Sequence, residues 1–181
     1  MFIKSINFAK KYYMIKTLIF DWGDTIMRDY PHLKTPMYTW DHVEYIPEVE
    51  KTLELLYNNY IMVIATNAGQ SDTNDMIKAL KRINANKYFN YFFSSKDLGY
   101  EKPDKLFFKT IINNLGFKAN ECVMIGNIYE KDIIGAKDIG MNTILYNEKD
   151  IKGNYQKADF IVNKMYNIIC IIENLDYKKH K

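Results

Sequence analysis

IFDWGDTIM, residues Ile19 to Met27, ends an apolar run on a carboxylate and places a second carboxylate three positions later. The run that leads into it, Thr17 to Phe20 (TLIF), is too short for a helix and is bounded by a charged residue. That pattern reads as a buried strand ending at Asp21. An aspartate in such a place is commonly a turn or helix-capping residue, so its meaning depends on the residues at the ends of the other strands.

Short runs rich in Ile, Val and Phe recur at Ile61 to Ala65, Tyr91 to Phe93, Cys122 to Ile125, Thr143 to Tyr146 and Phe160 to Val162. Helical patterns alternate with them at Val49 to Tyr57, Asp72 to Ile83, Lys105 to Leu115, Glu130 to Ile139 and Asn163 to Glu173. Ser71 or Asp72, and Pro103 with Asp104, suit helix starts, whereas Gly116 and Gly140 suit helix stops. The alternation predicts an α/β fold, a doubly wound parallel sheet with helices on both faces. Ligands of such sheets bind beyond the carboxyl ends of the strands, where the strand order switches. The candidates are therefore Asp21 after the first strand, Thr66 and Asn67 after the second, Lys102 in the loop after the third (LGYEKPD), and Gly126 and Asn127 after the fourth, with Asp132 shortly beyond.

Taken together, DWGDT, IATNAG, GYEKPDKLFF and MIGNIYEKDIIGAKDIGM resemble, in order and spacing, the four motifs of the haloacid dehalogenase (HAD) superfamily of Asp-based phosphotransferases. The likeness runs from about Ile15 to Asn147. It implies a Rossmann-like HAD-type fold and a magnesium-dependent phosphatase that hydrolyses a phosphomonoester through an aspartyl-phosphate. A phosphate dianion repels an incoming carboxylate, so attack needs a bridging cation and donors around the equatorial oxygens. The resemblance makes Asp21 the nucleophile. Magnesium (Mg2+) would be held by Asp21, the Gly23 carbonyl, Asn127 and Asp132. Thr66 and the backbone N–H of Asn67 would hold a phosphate oxygen, and Lys102 would neutralise nucleophile and phosphate.

Two of the superfamily's aspartates are missing. Gly23 stands where the general acid and base usually lies, two residues after the nucleophile, and Asn127 replaces the first acid of the fourth motif. Loss of a general acid costs typically about 10² to 10⁴ in rate. Asp24 offers a repair if the freedom of Gly23 turns that carboxylate inward; the competing reading makes Asp24 a loop cap. Asn127 can ligate through its amide oxygen without charge, which predicts weaker magnesium binding. Dehalogenases and phosphonate-cleaving relatives also lack that carboxylate, and a non-catalytic phospholigand-binding module is a further alternative. The first two rely on a sizeable helical cap after the first motif. Here the insert Met27 to Tyr45 is too short to bury a core of its own and reads as a vestigial cap loop. Its Tyr30, His32, Tyr38, Trp40 and His42 either contact substrate or pack the loop onto the domain.

A chain of 181 residues with 48% hydrophobic content suits a single domain, residues 1–181, with one ample core. Its net charge of +3 comes from basic and acidic residues spread along the chain, so no face argues for nucleic acid. The basic tail YKKHK from Tyr177 reads as a solvated end. Cys122 and Cys170 lie in apolar runs without metal or redox spacing, which predicts buried, reduced thiols and a cytoplasmic protein. No run approaches the roughly 20 apolar residues of a membrane span. Because MIKTLIFDWGDT from Met14 already has the form of a family start, residues 1–13 read as an N-terminal extension. A phosphorylated substrate, small or macromolecular, is the expected partner, and an oligomer is compatible with the open site.

Overall fold

A computed structural model describes residues 15–69 and 71–177. The extension at 1–13 and the last residues of the basic tail lie outside the described residues. Six strands form one parallel sheet in the order β3-β2-β1-β4-β5-β6. They are β1 (Thr17–Phe20), β2 (Ile61–Thr66), β3 (Tyr91–Ser94), β4 (Cys122–Gly126), β5 (Asn142–Tyr146) and β6 (Phe160–Val162). Strands β1, β2, β4 and β5 are buried along almost their whole length, as continuous apolar runs require when both faces of a parallel sheet are covered.

The helices divide between those faces. Leu18 and Phe20 of β1 point to a core completed by α1 (Val49–Leu56), α2 (Thr73–Arg82) and α6 (Asn167–Tyr177), whereas Ile19 points to a core completed by α4 (Lys105–Leu115) and α5 (Ile134–Asp138). Alternation along a strand separates the two sets, and four apolar residues on one stripe of α4, Phe107, Phe108, Ile111 and Ile112, fill the second core. Asp72 caps α2 by accepting the Asp75 N–H at 2.9 Å, and Asp104 caps α4 by accepting the Leu106 N–H at 2.8 Å. Gly116, at φ 72°, ends α4 in the left-handed conformation that glycine adopts without cost.

Three departures from the sequence reading have physical causes. A short helix, α3 (Ser95–Leu98), follows β3 directly, capped by Ser94; four residues are too few to show a helical period. The segment expected as one helix from Glu130 opens with a π-helical turn, Tyr129–Ile133, before α5. Cys122 is buried, but Cys170 is exposed. Ile168 and Ile172, four residues apart, face the core from α6 and leave Cys170 on the opposite side. No helix among the described residues is long and apolar enough to cross a membrane.

Candidate active site

Strand β1 lies between β2 and β4, with Phe20 level with Ile64 on one side and Ile125 on the other. This is the switch in strand order, since the chain moves outward from β1 through β2 and β3 and then returns to add β4. Asp21 extends the ladder by one bond, its N–H donating to the Ile125 carbonyl at 2.9 Å, which fixes its backbone at the carboxyl end of β1.

Lys102 is the hub of the charges there. The residue is 3% exposed, and its ammonium donates to Asp21 Oδ1 at 2.5 Å, Asp132 Oδ1 at 2.7 Å and the Ala65 carbonyl at 3.0 Å. Burial alone would push the Lys102 pKa down, but the Asp132 and Asp21 carboxylates hold it above its ordinary value. Burial raises the Asp132 carboxyl, with the nearby Asp21 charge adding to the effect and Lys102 opposing it. The ion pair with Lys102 thus favours the ionised form of Asp132 against its burial. Its other oxygen accepts the Ile128 N–H at 2.9 Å across the π-helical turn. Glycine is required beneath it: a Cβ on Gly126 would meet the Asp132 carboxyl carbon at 2.3 Å.

Asn67 braces Lys102 from the end of β2. Its amide oxygen accepts the Lys102 N–H at 2.8 Å and its amide nitrogen donates to the Lys102 carbonyl at 2.9 Å. On the other side Gly135 lets α5 approach the same loop, since a Cβ there would lie 2.0 Å from the Pro103 carbonyl oxygen. The Thr66 hydroxyl has only a 3.5 Å contact with the Asn67 carbonyl, at the limit of a hydrogen bond, which leaves it free to donate to a ligand. Neither the Asn67 side-chain brace nor Thr25 emerges from the strand-end rule. The buried Thr25 hydroxyl stands 3.4 Å from Asp21 Oδ2 and 3.3 Å from Asn127 Oδ1. Thr25 closes DWGDT, so its place in that motif is the one sequence signal for it.

Glycine freedom does not turn the Asp24 carboxylate as expected. Asp24 itself is the left-handed residue, at φ 52°, and Gly23 is outside that region. Asp24 Oδ1 accepts from Arg28 Nη1 at 3.2 Å and from the Asp29 N–H at 3.1 Å, while Arg28 makes a two-pronged contact with Glu148 at 2.8 Å on each prong. The Asp29 carboxylate stands instead beside Gly23: a Cβ on Gly23 would meet Asp29 Cβ at 3.5 Å and Oδ2 at 3.6 Å. Burial raises the Asp29 pKa, the Asp24 charge raises it further, and the Tyr30 N–H pulls it down.

The cap loop's one helical element is the 3₁₀ turn Met37–Thr39. Trp40 is buried, donates to the Thr35 carbonyl at 2.8 Å and packs against Tyr30 at 5.7 Å between ring centroids. Arg82 of α2 donates to the Tyr38, Trp40 and Asp41 carbonyls. Trp40 and Tyr30 therefore pack the loop onto the domain, while His42, 70% exposed in its side chain, lies on the outside.

The sequence model of haloacid dehalogenase-like hydrolases matches residues 3–146. The chain belongs to this family. Within the HAD-like hydrolases it is similar to the ribulose-1,5-bisphosphate 5-phosphatase of Halopiger xanaduensis, 28% identical over 120 residues covering 66% of this chain and 49% of that protein. It is also similar to the glyceraldehyde 3-phosphate phosphatase of Methanocaldococcus jannaschii, 31% identical over 102 residues covering 53% of this chain and 43% of that protein. The matched stretch is thus less than half the length of either curated relative. Among solved structures, the HAD-hydrolase YfnB of Bacillus subtilis, bound to magnesium, superposes with a TM-score of 0.74 at 17% identity, covering 88% of this chain and 99% of that one. That likeness concerns the fold.

The HAD-like donor set suits a hard cation with few protein charges. Asp21 Oδ2 and Asn127 Oδ1 converge on one hydroxyl, and Asp132 adds a second carboxylate nearby. Among the described residues, no group of three or more His, Cys, Asp or Glu side chains could hold a metal ion, so any cation here needs the Asn127 amide, a backbone carbonyl or water as further ligands. Magnesium fits this arrangement because it is commonly held by one or two carboxylates, with waters and substrate phosphate completing its octahedron.

Proposed function

We propose that the chain is a magnesium-dependent phosphatase that hydrolyses a phosphomonoester through a phosphoryl group carried on Asp21. The observation that carries this reading is the Lys102 ammonium bonded to both Asp21 and Asp132, with the Thr66 hydroxyl uncommitted at the neighbouring strand end. A nucleophilic carboxylate needs its own charge and the phosphate's charge screened before the two can meet. Lys102 would screen both while fixing one Asp21 oxygen, which leaves the other to attack. Thr66 and the Asn67 N–H would hold the transferring phosphoryl oxygens, and the Asn67 side chain would keep Lys102 in register. Magnesium held by Asp21, the Gly23 carbonyl, Asn127 and Asp132 would supply the remaining neutralisation and align the phosphate for in-line attack.

The names of the two phosphatase relatives support an ester of a small phosphorylated metabolite over a halogenated acid. The small cap supports the same choice, because its only helical element among the described residues is a single 3₁₀ turn, too little to form a lid. Phosphate release should be measured over a panel of phosphate esters with and without magnesium, alongside a haloacid and a phosphonate. Magnesium-dependent release from at least one ester is expected. Metal-independent halide release, or ligand binding without turnover, would contradict the proposal.

A further inference from the structure

Resting on the phosphatase reading, we infer that Asp29 is the proton donor and acceptor of the reaction, acting from beside the position that a side chain at Gly23 would occupy. A cleft of about 300 Å³ that reaches Trp22, the residue after Asp21, is lined by Gly23, Asp29, Lys34, Thr66 and Asn67. Asp29 is the one carboxylate lining it among the described residues. Asp29 also lines a second cleft, with Asp24, Asn127 and Glu148, but Asp24 lines only that second one of these two, and its Oδ1 is taken by Arg28 and by the Asp29 N–H. The Asp29 side chain lies on the Gly23 side, its Oδ2 3.6 Å from the place of the missing Cβ. Lys34 is tied to the Pro31 carbonyl at 2.8 Å, and an ammonium cannot accept a proton from water at neutral pH.

Two steps need this group. In the first, an Asp21 oxygen bonds to phosphorus, the phosphorus–oxygen bond of the ester breaks, and its electron pair goes to the leaving oxygen, which takes the Asp29 proton. In the second, the Asp29 carboxylate takes a proton from water, the water oxygen bonds to phosphorus, and the Asp21–phosphorus bond breaks with its electron pair returning to the carboxylate. Inorganic phosphate leaves and Asp29 is protonated again. A poor leaving group depends on the donated proton, and a good one departs without it.

The test compares alkyl phosphates with para-nitrophenyl phosphate in the wild type, Asp29→Asn, Asp24→Asn, Asp29→Ala and the double variant Gly23→Asp with Asp29→Ala. Asp29→Asn should lose about 10² to 10⁴ in kcat on the alkyl esters and less than about tenfold on the nitrophenyl ester. Asp24→Asn should lower both by one common factor. The double variant should recover alkyl-ester turnover at least about tenfold over Asp29→Ala, because a carboxylate carried on residue 23 has ordinary contact distance there and ample room once Asp29 is shortened. Equal losses on both esters in Asp29→Asn, or a leaving-group-selective loss in Asp24→Asn, would overturn the assignment while leaving the phosphatase reading intact. A wild type that hydrolyses neither ester class in magnesium would overturn both.

Discussion

Lys102 sets the charge balance of the crevice, because without it two carboxylates face each other in a nearly dry site. Replacing it with methionine removes one partner from a buried ionic set, which costs about 3 kcal/mol or more. Lys102→Met should therefore lower the unfolding free energy in urea by that order and abolish turnover, and an undiminished denaturation midpoint would show that the three groups are not coupled. Glu148 gives a pH signature. Its carboxyl is held below its ordinary value chiefly by the hydrogen bond from Arg28. A depressed folded pKa contributes stability above the unfolded value near 4.5 that is lost as pH falls through the folded value. Glu148→Gln should lower stability by about 1 kcal/mol at neutral pH, and its melting temperature should converge on the wild type's in acid. A gap that persists or widens in acid would reverse the assigned sign. Asp21, Thr66, Lys102 and Asp132 were legible as candidate positions because each follows a strand. Asp29 was not, since its relation to Gly23 depends on the turn at Asp24, and local sequence does not reveal which residue of DWGDT takes positive φ.

Strands were the most legible elements: every apolar run became one, with shifts of a single residue at the ends. Some helix starts were less so. α6 begins at Asn167 rather than Asn163, and the helix after β4 opens with a π turn, because Asp132 has to reach back to both Lys102 and the Ile128 N–H. The cap loop's placement was unreadable, since it depends on residues distant in sequence, among them Arg82, whose guanidinium collects three backbone carbonyls of the loop, and Glu148, which Arg28 of the loop reaches. Arg82→Ala should destabilise the protein by about 1 to 2 kcal/mol and speed amide hydrogen exchange around Tyr38 to Asp41 while leaving α4 unaffected. Unchanged exchange in the loop would mean that Trp40 and Met37 anchor it without Arg82.

The fold class could be read from one chain because its evidence is periodic and repeated: six apolar runs, separated by helices or loops, admit few arrangements other than a covered parallel sheet. Strand order was not contained in that pattern. Only the assembled sheet places β1 between β2 and β4 and so brings Asp21, Thr66, Lys102 and Asp132, distant in sequence, to one crevice. The two cores on either face leave that edge as the place where polar side chains meet, and the short cap keeps it accessible. The proposed chemistry depends first on Asp21 carrying the phosphoryl group. Rapid acid quenching during turnover of a phosphate ester in magnesium, followed by peptide mass analysis, tests this directly. One added phosphoryl group is expected on the peptide containing Asp21, absent from Asp21→Asn, which should also be inactive yet melt within a few degrees of the wild type. Full turnover by Asp21→Asn, or a phosphoryl group trapped on another residue, would contradict it.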